Sequence, residues 1–127
     1  MGWEEVVDLY CSAWDEADPD RRRTILEPIW AEGATYTDPT VHLAGLAALV
    51  EHIGRVAQRY PGSRIVRTSA VDAHHAVARF GWQKVLADGT ALPEGIDFVE
   101  RNQAGTIARV VGFFGPLRPA EGRAIAP

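Results

Sequence analysis

A chain of 127 residues with 46% hydrophobic content is sized for one compact domain burying roughly two-thirds of its extended surface, with too little left for a second. Thirteen basic against seventeen acidic side chains give a formal net charge of −4, a mild, dispersed excess without an electrostatic footprint for nucleic acid or an anionic membrane. A single cysteine, Cys11, excludes an intramolecular disulfide, and no run approaches the roughly eighteen apolar residues of a membrane span, so a cytoplasmic protein is expected.

The acidic start Trp3, Glu4, Glu5 fits neither a secretory signal nor a transit peptide. Twelve of the thirteen basic residues are arginine, a bias of composition that makes each single arginine less informative. There is no G-x-G-x-x-G, P-loop, G-x-S-x-G elbow or Cys/His cluster at zinc spacing, so nucleotide, acyl-serine and zinc chemistry lack their usual signatures.

Trp3, Val7, Tyr10, Trp14 and Ala17 recur at three- and four-residue steps and predict an amphipathic first helix. Asp18-Pro19 supplies a cap and a proline for the first position of a second helix, carrying Ile25, Leu26, Ile29 and Trp30 inward, kinked or broken by Pro28 and stopped at Gly33. Ala34 to Asp38 then reads as a short strand whose last residue is held extended by Pro39. The stripe Leu46, Leu49, Val50, Ile53, Ala57, Tyr60 predicts a third helix, ended by Pro61-Gly62.

From there the period changes to two. Strands are expected over 63–71, 76–86, 96–100 and 107–114, with Asp88-Gly89 the best hairpin signal and a turn at 103–105. Residues 116–127 read as a loose tail behind a single domain over 1–115. Helices gathered toward the N-terminal half and a meander after them imply an α+β fold: three helices packed on a strongly curved antiparallel sheet, a cone whose mouth invites a small apolar molecule.

The order of elements, with A-T-Y-T-D-P ending the first strand, Gly45 opening the third helix, V-D-A-H-H and R-F-G-W in the middle, and G-I-D-F then V-G-F-F at the close, resembles the NTF2-like superfamily with its cystatin-like cone. Within it the chain is most similar to the SnoaL-like proteins, over about residues 3 to 115. That superfamily holds isomerases, cyclases, dehydratases, epoxide hydrolases and proteins without catalysis, so the resemblance implies the fold more narrowly than the activity. Ketosteroid isomerase is the member whose residues overlay one by one. Its general-base aspartate precedes a proline as Asp38 does, its tyrosine donor lies on the first helix where Tyr10 stands, and its protonated aspartate follows an isoleucine as Asp97 follows Ile96. The Trp-rich first helix and the His74-His75 pair depart from that enzyme, so a steroid substrate is not implied. The resemblance also implies pairing of two copies through the sheet.

Residue spacing gives the overlay a geometric check. With a two-residue turn at Asp88-Gly89, Asp97 faces Phe80 and Gly95 faces Trp82, so Asp97, Phe80 and Trp82 share one sheet face. A carboxyl between those rings would lose water and keep its proton. An extra residue at Pro93-Glu94 would shift the register and turn Asp97 outward.

Plainer readings stand beside each of these. Tyr10 also fits a core tyrosine and Asp38 a turn former, whereas a carboxylate in mid-strand at Asp97 needs a partner or a task. His74 and His75 point opposite ways on extended chain and read as turn residues, and His42 and His52 lack a carboxylate at metal spacing, so no metal and no cofactor is expected. Arg79 falls on the face opposite Asp97, Arg21 to Arg23 read as the solvated side of the second helix, and Cys11 as a small buried hydrophobe. The expected partner is a small hydrophobic, carbonyl-bearing molecule in a pocket lined by Trp14, Phe80 and Trp82. Asp38 would move a proton and Tyr10 with Asp97 would hold the oxygen. The alternative is a pocket that binds without catalysis. An exposed patch at Val77, Ile96 and Phe98 suits a homodimer.

Overall fold

The computed structural model describes residues 1–121. The expected tail lies outside the described residues from 122 onward, and 116–121 carries neither helix nor strand. Helix α1, Trp3–Asp15, turns Val6, Val7, Tyr10 and Ala13 into the core. The Asp18 carboxylate caps α2, Pro19–Leu26, accepting from the Asp20 amide at 3.2 Å.

Three expectations about this region are corrected. Ile29 and Trp30 are buried, yet they have left the helix: Trp30 opens β1, Trp30–Asp38. Gly33 is therefore no helix stop. It sits inside β1 at φ 74°, where pairing with the last strand slips, and its missing Cβ permits the left-handed backbone of that irregularity. Arg22 does not share the solvent face of its neighbours. It is buried, and its guanidinium donates to the carbonyls of Glu16 and Ala17, just past the end of α1, and to that of Val50 within α3, which ties the three helices together.

A strand absent from the sequence reading, β2 (Val41–Ala44), folds back on β1 with Asp38 opposite Val41. Helix α3, Leu46–Arg59, follows. The strand expected over 63–71 is two short ones, β3 (Arg64–Arg67) and β4 (Asp72–His74), both paired with β5, Val77–Val85. Between them residues 68–71 stand opposite only Phe80 and Gly81, and that excess bends the edge of the sheet. β6 (Gly95–Arg101) and β7 (Ile107–Phe114) complete the sheet in the order β2-β1-β7-β6-β5-β3, with β4 beside β5. The three helices pack on this curved sheet as expected, but β1 runs parallel to β7, so the sheet is mixed rather than wholly antiparallel.

The β5–β6 register comes out as expected through two deviations that cancel. The turn is a three-residue loop, with Leu86 and Thr90 closing it and Gly89 at φ 89°, which sets Val85 opposite Ala91. The extra residue at Pro93-Glu94 then restores the pairing of Trp82 with Gly95 and Phe80 with Asp97. Asp97 consequently faces the helices.

Candidate active site

Between α1, α3 and the inner face of the sheet lies a cavity of about 620 Å³, a size that suits a drug-sized molecule. Tyr10, Trp14, Asp38, Phe80, Trp82 and Asp97 all border it. α1 brings Tyr10 and Trp14 one turn apart. Period-two alternation brings Asp38 from β1, Phe80 and Trp82 from β5 and Asp97 from β6.

Asp38 is a carboxylate surrounded by donors. Thr40 Oγ1 at 2.6 Å, the Thr40 amide at 2.7 Å and the Val41 amide at 3.2 Å all donate to Oδ1, and the Tyr36 hydroxyl donates to Oδ2 at 2.6 Å. Burial alone would raise its pKa, but the hydrogen bonds from Thr40, Tyr36 and Val41 outweigh it and hold the carboxyl below the ordinary aspartate value. Asp38 is therefore ionised at neutral pH.

Asp97, 7% exposed, has the opposite surroundings. Among the described residues one hydrogen bond reaches it, from the Trp82 indole N–H to Oδ1 at 2.9 Å, and its strand partner is Phe80. Burial pushes its pKa up to about 7; the Trp82 bond works against that shift and the Asp38 charge adds to it. Gly112 on β7 separates the two acids. A Cβ there would stand 2.8 Å from Asp97 Oδ1 and 3.6 Å from Asp38 Cβ, so the absence of a side chain gives the Asp97 carboxyl its place. Gly95 does the same for Trp82, whose indole covers the spot where a Cβ would project.

Tyr10 is 2% exposed and its hydroxyl has no hydrogen-bond partner among the described residues, a costly state for a buried donor that bordering a cavity can relieve once a ligand oxygen enters. Burial and the nearby Asp97 charge keep that phenol protonated far above neutral pH. The wall thus offers one carboxylate, one carboxyl that titrates near neutrality and one idle phenol.

Two further wall residues were not expected from the sequence to line the cavity. Tyr36 and His52 pack with Trp14 at centroid distances of 5.6 to 5.9 Å, and His52 Nε2 stands 3.9 Å from Asp38 Oδ2. Burial lowers the His52 pKa against the pull of Asp38, which leaves the ring neutral. Both were marked in the sequence: Tyr36 lies two residues before Asp38 on a strand, and His52 continues the helical row Leu49, His52, Val56. Arg79 lies on the other sheet face, paired with Asp72 at 2.9 Å. His74 and His75 are exposed at the end of β4, with His75 at φ 52°. Cys11 is buried, and burial pushes its thiol up to about 12, which makes it inert. Among the described residues no three of His, Cys, Asp or Glu stand together as a metal site would require, and no helix is long and apolar enough to cross a membrane.

Solved structures resemble this arrangement along nearly its whole length. A proposed isomerase of the SnoaL-like family from Agrobacterium tumefaciens strain C58 superposes with a TM-score of 0.84 at 34% identity, covering 88% of this chain and 96% of its own. A cystatin-like protein of unknown function from Methylobium petroleophilum PM1 gives 0.71 at 22% identity, over 96% of this chain and 80% of that one. A hypothetical protein with a ketosteroid isomerase-like fold from Catenulispora acidiphila, bound to trimethylamine, gives 0.70 at 13% identity, over 87% and 85%. The last two likenesses are of fold alone. No protein-family model and no curated protein matches the chain.

Proposed function

The chain belongs to the SnoaL-like family, and on that premise we propose that its cavity binds a small hydrophobic carbonyl compound and moves a proton on the carbon next to the carbonyl. The observation that carries this reading is the pair of carboxyls on one apolar wall, Asp38 held ionised and Asp97 pushed toward its neutral form. Asp38 Oδ2, which accepts one hydrogen bond where Oδ1 accepts three, takes the proton. The negative charge that develops on the carbonyl oxygen is met by the Tyr10 hydroxyl and the protonated Asp97. A base held below the ordinary aspartate value is weak, so the proton must be an acidic one, flanked by two carbonyls or by a carbonyl and a double bond. No cofactor enters these steps.

The same saturation of Asp38 favours a second reading, a module that binds such a molecule without converting it. Deuterium exchange into a bound 1,3-dicarbonyl compound, read by NMR, separates the two. Exchange that Asp38→Asn abolishes, while an enolate-mimicking phenol still binds, supports catalysis. Phenol binding weakened by Tyr10→Phe and Asp97→Ala, without exchange in the unmodified chain, supports binding alone. If neither phenol nor ketone binds, both readings fall.

The proposal includes a second copy of the chain as partner, in a cytoplasmic setting that suits the lone buried thiol. The outer sheet face exposes Val77, Phe98 and Phe113 beside Arg79, Glu100 and Arg109. An apolar patch carrying both signs of charge can be set against itself by a two-fold axis. Light scattering at micromolar concentration is expected to give twice the chain mass; the single mass removes this part.

A further inference from the structure

The cavity wall changes character away from Asp97. Along β5 the inward row runs Phe80, Trp82, Lys84, so two rings give way to the only lysine of the chain. Along α3, Arg59 follows His52 by about two turns on the same side of the cavity. Lys84 Nζ and Arg59 Cζ stand 5.5 and 5.6 Å from the centroid of the Tyr60 ring, so one aromatic side chain holds both cations.

Neither cation has a carboxylate within ion-pair distance among the described residues. Arg55, the third cation on this wall, is taken by Glu51 at 2.8 Å. Asp15 is the acid whose charge reaches Lys84, but its Oδ1 accepts the Ile65 amide at 2.7 Å. Burial lowers the Lys84 pKa despite Asp15, as expected of an ammonium that has lost water and gained no counter-ion. In a protein of net charge −4, the half-buried Lys84 and the exposed Arg59 at the cavity rim, neither paired with a carboxylate of the described residues, offer an anion a place to bind at this end of the cavity.

We infer that the ligand carries a carboxylate at the end opposite its carbonyl, and that Lys84 and Arg59 bind it. This rests on the reading above, which puts the carbonyl oxygen at Tyr10 and Asp97. From Phe80, the partner of Asp97, to Lys84 is four residues of strand, about 13 Å at ~3.3 Å each. Two fused rings with a group at each end, met by the lysine stem, cover that span.

The test compares 2-naphthol, 6-hydroxy-2-naphthoic acid and the methyl ester of that acid as phenol probes of the full chain, titrated by fluorescence at low salt. The acid is expected to bind about tenfold or more tighter than the other two, a gap of roughly 1.4 kcal/mol. The gap should shrink as salt is raised and close in the Lys84→Gln, Arg59→Gln double variant. Equal affinity for acid and ester overturns the inference while leaving the proposed function standing. It is overturned equally by a preference that survives the double substitution in a variant whose thermal unfolding remains cooperative. If 2-naphthol and the acid both fail to bind, the inference and the proposed function fall together.

Discussion

Asp38 and Asp97 lie on either side of Gly112 and on the wall of one cavity, yet their surroundings were made by different means. The donors that hold Asp38 ionised come from Tyr36, Thr40 and Val41, all within three residues of it. The surroundings of Asp97 come from afar: Phe80 and Trp82 across a hairpin, Gly112 from the next strand and Tyr10 from the first helix. A short polar turn can hold a charge wherever it is placed, whereas a neutral carboxyl needs several elements to meet and exclude water.

This contrast predicts opposite effects on stability as pH changes. Because the folded value of Asp97 is raised to about 7, the unfolded chain ionises first as pH climbs. Stability should therefore fall between about pH 4 and pH 7, by up to about 1.4 kcal/mol per pH unit, and level off above. Asp97→Asn is expected to flatten that window, as read by urea unfolding at a series of pH values. Asp38 acts in the other direction: its folded value is lowered, so its contribution is present above about pH 4 and disappears as pH falls through the folded value. An unchanged slope in Asp97→Asn would mean that Asp97 does not hold its proton.

Gly112→Ala disturbs the divider between the two acids. A Cβ 2.8 Å from Asp97 Oδ1 must displace that carboxyl, which should cost about 1–3 kcal/mol in thermal unfolding. Phenol binding should weaken, while Asp38, whose side-chain Cβ lies farther off at 3.6 Å, keeps its low pKa in a carboxyl-resolved NMR titration. The smallest expected effect belongs to Trp82→Phe. It removes the one donor to Asp97, worth about 0.5–1.5 kcal/mol, and should move the Asp97 titration upward by at most about one pH unit without touching that of Asp38.

Most elements were legible in the sequence because their signals are local. The stripes of α1 and α3, the cap at Asp18 and the alternation of β5 to β7 each lie within one short window. β2 was missed because Val41–Ala44 is too short to show a period, and Arg22 because nothing in the triplet Arg21 to Arg23 tells which one will meet the carbonyls of Glu16, Ala17 and Val50. His52 and Tyr36 carry the right spacing, but the sequence reading weighs His52 only as a metal ligand and Tyr36 only as a strand former.

The sequence by itself determined the Asp38 end of the site, since proline after it and donors at 40 and 41 build the turn from adjacent backbone. It also marked Asp97 as a residue in need of a reason and set it on one face with Phe80 and Trp82, though through a two-residue turn that the chain does not make. Only the tertiary structure decided that a three-residue loop and a compensating bulge cancel to point Asp97 inward, that Gly112 makes room for it, and that Tyr10 arrives without a partner. Register is a sum over every residue of a connection, and burial over every element that closes a cavity, so neither can be read from one window of the chain.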